Sequence, residues 1–181
     1  SISNNKIYDI FEDKYHILWI ATDAGLNFFN QSNQRFWQIK HNPFNPNSLS
    51  NDLVRSIYQD RSGTIWIGTY GGGLNHFDWR KRTFGHYKNI AGDPNSLNDN
   101  NVWSIFEDTS GQLWIGTNKG LNRFDSRDHK LTVYRHNPDD KYSLSDDIVR
   151  IIYQDSSGDL WFGTKSGGLN KYIAKKDKFI R

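Results

Sequence analysis

The sequence predicts an all-β chain of four repeats, each a sheet of four short strands, on three observations. A tryptophan-centred motif returns as Leu18-Trp19-Ile20, Ile65-Trp66-Ile67, Leu113-Trp114-Ile115 and Leu160-Trp161-Phe162, with spacings of 47, 48 and 47 residues between the tryptophans. The 181 residues include 7 Trp, 9 Tyr and 11 Phe despite a mean hydropathy of −0.80, so the chain is aromatic and polar at once, as strands with short polar turns require. Turn-forming glycines and asparagines separate the apolar runs.

The elements of each repeat follow in order. A first strand is expected in Ile7-Tyr-Asp-Ile-Phe-Glu-Asp13, Val54-Arg-Ser-Ile-Tyr-Gln-Asp60, Val102-Trp-Ser-Ile-Phe-Glu-Asp108 and Val149-Arg-Ile-Ile-Tyr-Gln-Asp155. Asp-x-Ser-Gly then marks a turn in three of the four repeats, where an aspartate oxygen can accept backbone N–H groups a few residues on. The tryptophan motif is the second strand. Gly-Leu-Asn at 25–27, 73–75, 120–122 and 168–170 opens the third, and Phe36-Trp37, Phe84 to Tyr87, Leu131 to Tyr134 and Phe179-Ile180 supply the fourth. The run Gly71-Gly72-Gly73 could be mistaken for a phosphate cradle. A cradle needs a helix start behind it, and Leu74-Asn75-His76-Phe77-Asp78 is no helix, so the glycines are read as a turn at which positive φ is cheap.

Four strands in roughly 40–50 residues, repeated, are the pattern of a β-propeller blade. A sheet with apolar residues on both faces is stable only between similar sheets, and neither the first nor the second strand alternates cleanly. The expected blades are about 1–47, 48–95, 96–142 and 143–181, with Trp19, Trp66, Trp114 and Trp161 in equivalent buried places.

Asp108-Thr-Ser-Gly-Gln-Leu-Trp-Ile-Gly-Thr117 and Gly120-Leu-Asn-Arg-Phe-Asp125 resemble the two-component regulator propeller repeat, and the likeness extends over all four repeats. The first departs from it: Lys14-Tyr15-His16 replaces x-Ser-Gly, which puts its first turn in doubt, and Ala21 replaces Gly. The resemblance implies a periplasmic or otherwise extracytoplasmic sensor region of a bacterial signalling protein such as a hybrid histidine kinase. It also implies an oligosaccharide ligand, and a membrane reached only through the parent protein.

A second regularity underlies the first. Repeats one and three share Ile-Phe-Glu-Asp, at 10–13 and 105–108, whereas two and four share Ile-Tyr-Gln-Asp, at 57–60 and 152–155. Duplication of a blade pair explains this. Four blades curved as in a larger ring would leave two apolar end faces. The expectation is therefore either a tight closed ring or a homodimer forming an eight-bladed ring, with neighbouring blades covering those faces in the parent. The absence of Met points to a fragment of a longer protein.

Candidate ligand-binding residues come from the loops and strand ends expected on one rim: Asn5, Asp52, Asn100 and Asp147 before the first strands, and Asp23, Tyr70, Asn118, Lys119 and Lys165 in the glycine-rich turns. Tyr8, Arg55, Trp103 and Arg150 occupy one equivalent position of the first strand. Variable side chains on a repeated scaffold are where binding is built. Aromatic, amide, carboxylate and guanidinium groups together suit a sugar, and the two arginines suit an acidic one; packing between blades is the plain alternative for Tyr8 and Trp103.

Several classes are disfavoured. The net charge of +3 is small and scattered, so no nucleic-acid partner is expected. There is no cysteine, no stretch that reads as a signal peptide or membrane span, and no metal-ligand spacing among the six histidines, so no metal or cofactor is expected. Asp13, Asp60, Asp108 and Asp155 are read as turn residues rather than catalysts. Glu12 and Glu107, on different blades at a repeated position expected to be buried, are not read as a glycosidase pair. Arg80-Lys81-Arg82 is read as a solvated loop. A non-enzymatic ligand sensor is thus favoured, with a polysaccharide hydrolase or lyase and a protein-interaction platform as alternatives.

Overall fold

The first blade is a meander of β1 (Ile7–Glu12), β2 (Ile17–Thr22), β3 (Gly25–Asn30) and β4 (Arg35–Ile39), and the second one of β5 (Val54–Gln59), β6 (Ile65–Thr69), β7 (Gly73–Asp78) and β8 (Thr83–Tyr87). The third holds β9 (Val102–Glu107), β10 (Leu113–Thr117), β11 (Gly120–Asp125) and β12 (Lys130–Tyr134). The fourth holds β13 (Val149–Gln154), β14 (Leu160–Thr164), β15 (Leu169–Ile173) and β16 (Lys178–Ile180), with a single 3-10 turn at Ala174–Lys176. These come from a computed structural model that describes residues 1–125 and 130–181. Each sheet is four-stranded with its strands in chain order, and the described pairings are antiparallel. The chain divides into two compact units, one of residues 1–88 and 100–102, the other of 89–99 and 103–181.

In unit one, β5 packs against β1 and β2. The core between the two sheets includes Trp19, Ala21, Leu26, Val54, Ile57, Ile65 and Phe77. Every residue of Ile65–Thr69 is buried. Gly68 is required there: a Cβ would lie 2.4 Å from Ser56 Oγ and 2.7 Å from Val102 Cγ1. In unit two, β10 packs against β13 around Trp114, Leu121, Val149, Ile152 and Phe162. Gly73, at φ +81°, turns the chain into β7 with the carbonyl of Tyr87 2.4 Å from where its Cβ would stand, so the triple glycine is a turn.

The six-residue interval from the recurring aspartate to the tryptophan has a physical cause. In each repeat the indole Nε1 donates to the aspartate Oδ2, at 2.9 Å (Trp19–Asp13), 2.8 Å (Trp66–Asp60), 2.7 Å (Trp114–Asp108) and 2.8 Å (Trp161–Asp155). The other oxygen accepts turn N–H groups, such as those of Ser110 at 2.8 Å and Gln112 at 3.1 Å on Asp108. One carboxylate thus closes the turn and satisfies a core indole. The asparagine of Gly-Leu-Asn is equally structural. Buried Asn27, Asn75, Asn122 and Asn170 accept the N–H of Ser3, Ser50, Asn98 and Ser145 at 2.9, 2.9, 3.0 and 2.9 Å, pinning the loop before each first strand.

Three expectations need correction. Trp161 is only partly buried, unlike Trp19, Trp66 and Trp114, because its face of the β13–β16 sheet is open within unit two, where Ile151 is 61% and Tyr153 59% exposed. The first turn of repeat one is intact: His16 adopts φ 58°, where Gly63, Gly111 and Gly158 sit in the other repeats, and its N–H reaches the Asp13 carbonyl at 3.0 Å. Glu12 is exposed rather than buried, with His16 Nδ1 at 2.6 Å.

Candidate functional site

Strands β1, β5 and β13 carry a bulge at the same place, between Ile7 and Asp9, Val54 and Ser56, and Val149 and Ile151. The extra residues are Tyr8, Arg55 and Arg150. A bulge interrupts the ladder and re-aims its side chain, so the position singled out by its variability is one that the backbone turns away from the regular strand face.

In unit one, the Arg55 guanidinium lies over the Tyr8 ring, 3.8 Å from its centroid, and 5.8 Å from that of Tyr70. Its Nη1 donates to Asp23 Oδ1 at 2.8 Å, and the Tyr8 hydroxyl donates to Asp23 Oδ2 at 3.2 Å. The Arg55 side chain is only 10% exposed and that of Asp23 19%. Burial pushes the Asp23 carboxyl up, but the Arg55 guanidinium and the Tyr8 hydroxyl outweigh it and hold the carboxyl below its ordinary value. Arg55 therefore has an internal counter-ion.

In unit two, the Arg150 guanidinium lies 3.5 Å over the Trp103 ring, and the Trp103 indole N–H donates to Asn118 Oδ1 at 2.7 Å. Asn118 follows Thr117 as Asp23 follows Thr22, so an amide stands where unit one has its carboxylate. Arg150 is exposed. Lys119 pairs with Asp99 at 3.8 Å, its own side chain 69% exposed. Lys165 is exposed just beyond β14, its N–H bonded at 2.8 Å to the carbonyl of Ile148, the residue before β13.

The loop residues do more holding than facing. Asp52 Oδ1 accepts the His41 N–H at 2.7 Å, and Asp147 Oδ1 that of His136 at 2.6 Å. Their carbonyls accept the N–H of Gly25 at 2.8 Å and Gly120 at 2.7 Å, and the Asn100 carbonyl those of Gly71 and Gly73 at 3.0 and 2.9 Å. Each loop thereby clamps the glycine-rich turn of the blade before it. Asn5 and Tyr70 are exposed. The structure thus gathers Tyr8, Arg55, Tyr70 and Asp23 in one unit and Trp103, Arg150 and Asn118 in the other.

Two features escaped the sequence. Unit one has a cleft of about 500 Å³ lined by Phe28, Trp37, Phe77, Trp79, Arg82 and Phe84 among others. In it Trp37 stacks on Phe28 at 4.9 Å, and Trp79 meets Phe77 edge-on at 4.9 Å. Its aromatics were legible singly, their convergence was not. In unit two, Asp177 accepts the hydroxyls of Tyr134 at 2.5 Å and Tyr172 at 2.6 Å, with Arg123 Nη1 at 3.2 Å. Burial, then the bond to Asp177, pushes the Tyr134 hydroxyl far above the ordinary phenol range. Among the described residues no group of three or more His, Asp or Glu is arranged to hold a metal ion, and no helix is long and apolar enough to cross a membrane.

The profile of the family described as "Two component regulator propeller" matches residues 1–24, 48–71, 96–119 and 143–166. No curated protein sequence matches. Among solved structures, the extracellular domain of a hybrid two-component system from B. thetaiotaomicron is 30% identical over 99% of this chain and 24% of its own, with a TM-score of 0.84. The extracellular domain of a second such system from that organism is 26% identical over 98% of this chain and 25% of its own, with a TM-score of 0.78. Virginiamycin B lyase from Staphylococcus aureus, 17% identical over 92% of this chain and 55% of its own with a TM-score of 0.62, shares the fold alone. This chain spans about a quarter of the length of the two hybrid-system domains. With four profile matches, each running from before a first strand into the turn after the tryptophan strand, this chain belongs to the two-component regulator propeller family.

Proposed function

We propose that this chain is a ligand-sensing propeller module of a bacterial two-component signalling protein, that it lies outside the cytoplasm, and that its ligand is an oligosaccharide. The location is supported by the extracellular placement of the two hybrid-system domains it resembles. The observation that carries the binding reading is the pair of bulge-borne aromatic–guanidinium stacks, Arg55 on Tyr8 and Arg150 on Trp103, each beside an amide or carboxylate. A pyranose offers an apolar C–H face to an aromatic ring and a rim of hydroxyls to amides and guanidinium groups. Binding without catalysis is supported by the engagement of all four recurring aspartates by an indole and a turn.

A glycan array followed by calorimetry on wild type and Trp103→Ala tests this reading. The expected result is a saccharide bound by wild type and at least about tenfold more weakly by the variant, since one stacking aromatic contributes on the order of 1–3 kcal/mol. Equal binding by both proteins removes Trp103 from the site. Polysaccharide breakdown that survives dialysis of the protein favours the enzyme reading instead.

Self-association is a second proposal, supported by the open apolar faces within each unit. Ile7 and Ile10 on β1 are 47% and 59% exposed, and Ile151 and Tyr153 on β13 are 61% and 59% exposed.

A further inference from the structure

We propose that the Trp103–Arg150 site takes the anionic group of an acidic saccharide, a carboxylate or sulfate ester, while its counterpart in unit one is closed by Asp23. The proposal rests on the sensing reading and adds the charge of the ligand.

Both arginines are bulge residues stacked on an aromatic from the preceding blade. In unit one the aspartate after Thr22 binds the guanidinium at 2.8 Å, and the arginine side chain is left 10% exposed. In unit two Asn118 stands in that place. An indole N–H can only donate, so the Asn118 carbonyl oxygen must face Trp103, which leaves the amide NH₂ as donor. The Arg150 guanidinium is exposed and makes no hydrogen bond or ion pair with any described residue.

Neighbouring carboxylates are engaged elsewhere. Asp99 pairs with Lys119. Asp146 accepts the N–H of Ile148 at 3.1 Å and of Ser166 at 2.8 Å, and Asp147 accepts that of His136 at 2.6 Å. Stacking on Trp103 fixes the guanidinium plane before a ligand arrives and shields one face from water. A planar fork held in this way matches the paired oxygens of a carboxylate or sulfate.

The test is calorimetric titration at fixed low salt with four probes: trigalacturonate, its methyl ester, sulfated maltotriose and unsulfated maltotriose. The proteins are wild type, Arg150→Gln, Asn118→Asp and, as a charge control away from the site, Lys141→Gln. We expect at least one acidic probe to bind at least about tenfold more tightly than its neutral counterpart, the weight of one charge-assisted pair. Arg150→Gln should remove that preference. Asn118→Asp, which installs the counter-ion of unit one without removing the arginine, should remove it too, and Lys141→Gln should leave it within about twofold. Which acid binds tells carboxylate from sulfate. Equal binding of acid and neutral partner, or a preference that survives both site variants, overturns the inference and leaves the sensing reading standing. No binding of any probe to wild type overturns the inference, and the sensing reading falls only if the glycan array is empty too.

Discussion

Replacing Trp114 by alanine should be among the most costly single changes in the chain. The side chain is 1% exposed and lies 5.1 Å from Phe162, 5.0 Å from Tyr172 and 5.8 Å from Tyr134, ring centre to ring centre. Its indole N–H is bonded to Asp108 Oδ2 at 2.7 Å, and Asp108 is 5% exposed. Truncating a buried tryptophan costs about 3–5 kcal/mol through lost transfer energy and the cavity left behind. Removing a bond to a buried carboxylate adds toward the upper end, so about 4–5 kcal/mol is expected. Trp114→Phe keeps a ring but loses the donor, and should cost about 1–3 kcal/mol. Trp161→Ala removes the same motif from a half-buried place, where about 1–3 kcal/mol is expected. Equilibrium urea denaturation followed by circular dichroism measures all three, since it does not depend on the fluorescence of the residue removed. A loss below about 2 kcal/mol for Trp114→Ala, or a Trp161→Ala loss as large, would refute the assignment of the aspartate–tryptophan pair as a core fastening.

Arg55→Gln should lower stability by about 1–3 kcal/mol, since it takes from Asp23 its guanidinium partner, whereas Arg150→Gln should change it by less than about 0.5 kcal/mol; equal losses in denaturant titration would contradict the asymmetry. Gly68→Ala should cost about 1–3 kcal/mol because Ser56 and Val102 crowd the new methyl, while Gly158→Ala, with nothing within 4 Å, meets only the strain of φ +86°. His76 packs between Trp66 and Tyr87, and burial holds its imidazole below the ordinary 6.5. A lowered folded value means the unfolded chain takes up the proton first, so this contribution is whole above pH 6.5 and is lost as the pH falls below it. Thermal melts from pH 8 to 5.5 should therefore fall less steeply for His76→Phe, which copies Phe28 of repeat one, and an unchanged slope would sink the assignment. Light scattering should give twice the 21.1 kDa chain mass if the open strand faces join two copies, and a mass of one chain across a dilution series excludes that joining.

The repeated strands were legible because their determinants are local. Asp108 and Trp114 are six residues apart, and the turn they fasten closes on itself. Gly73 sits in the turn it makes possible, and successive strands pair with one another in every sheet. The position of Tyr8, Arg55, Trp103 and Arg150 was legible as well, since a repeat exposes its own departures. The bulge at three of them was not, because a bulge depends on how two strands register rather than on a residue type. The different surroundings of the two arginines were not legible either. Arg55 is neutralised by an aspartate 32 positions away, and Arg150 finds its aromatic platform 47 positions away.

By itself, then, the sequence determined the all-β blades, the family and the variable position, all consequences of short-range pairing and of repetition. Only the tertiary structure decided which tryptophans are covered, how Trp37 and Trp79 come to line one cleft, and which arginine keeps its charge available. Covering and neutralisation are settled where one blade meets the next, between residues whose separation along the chain carries no signal of their contact.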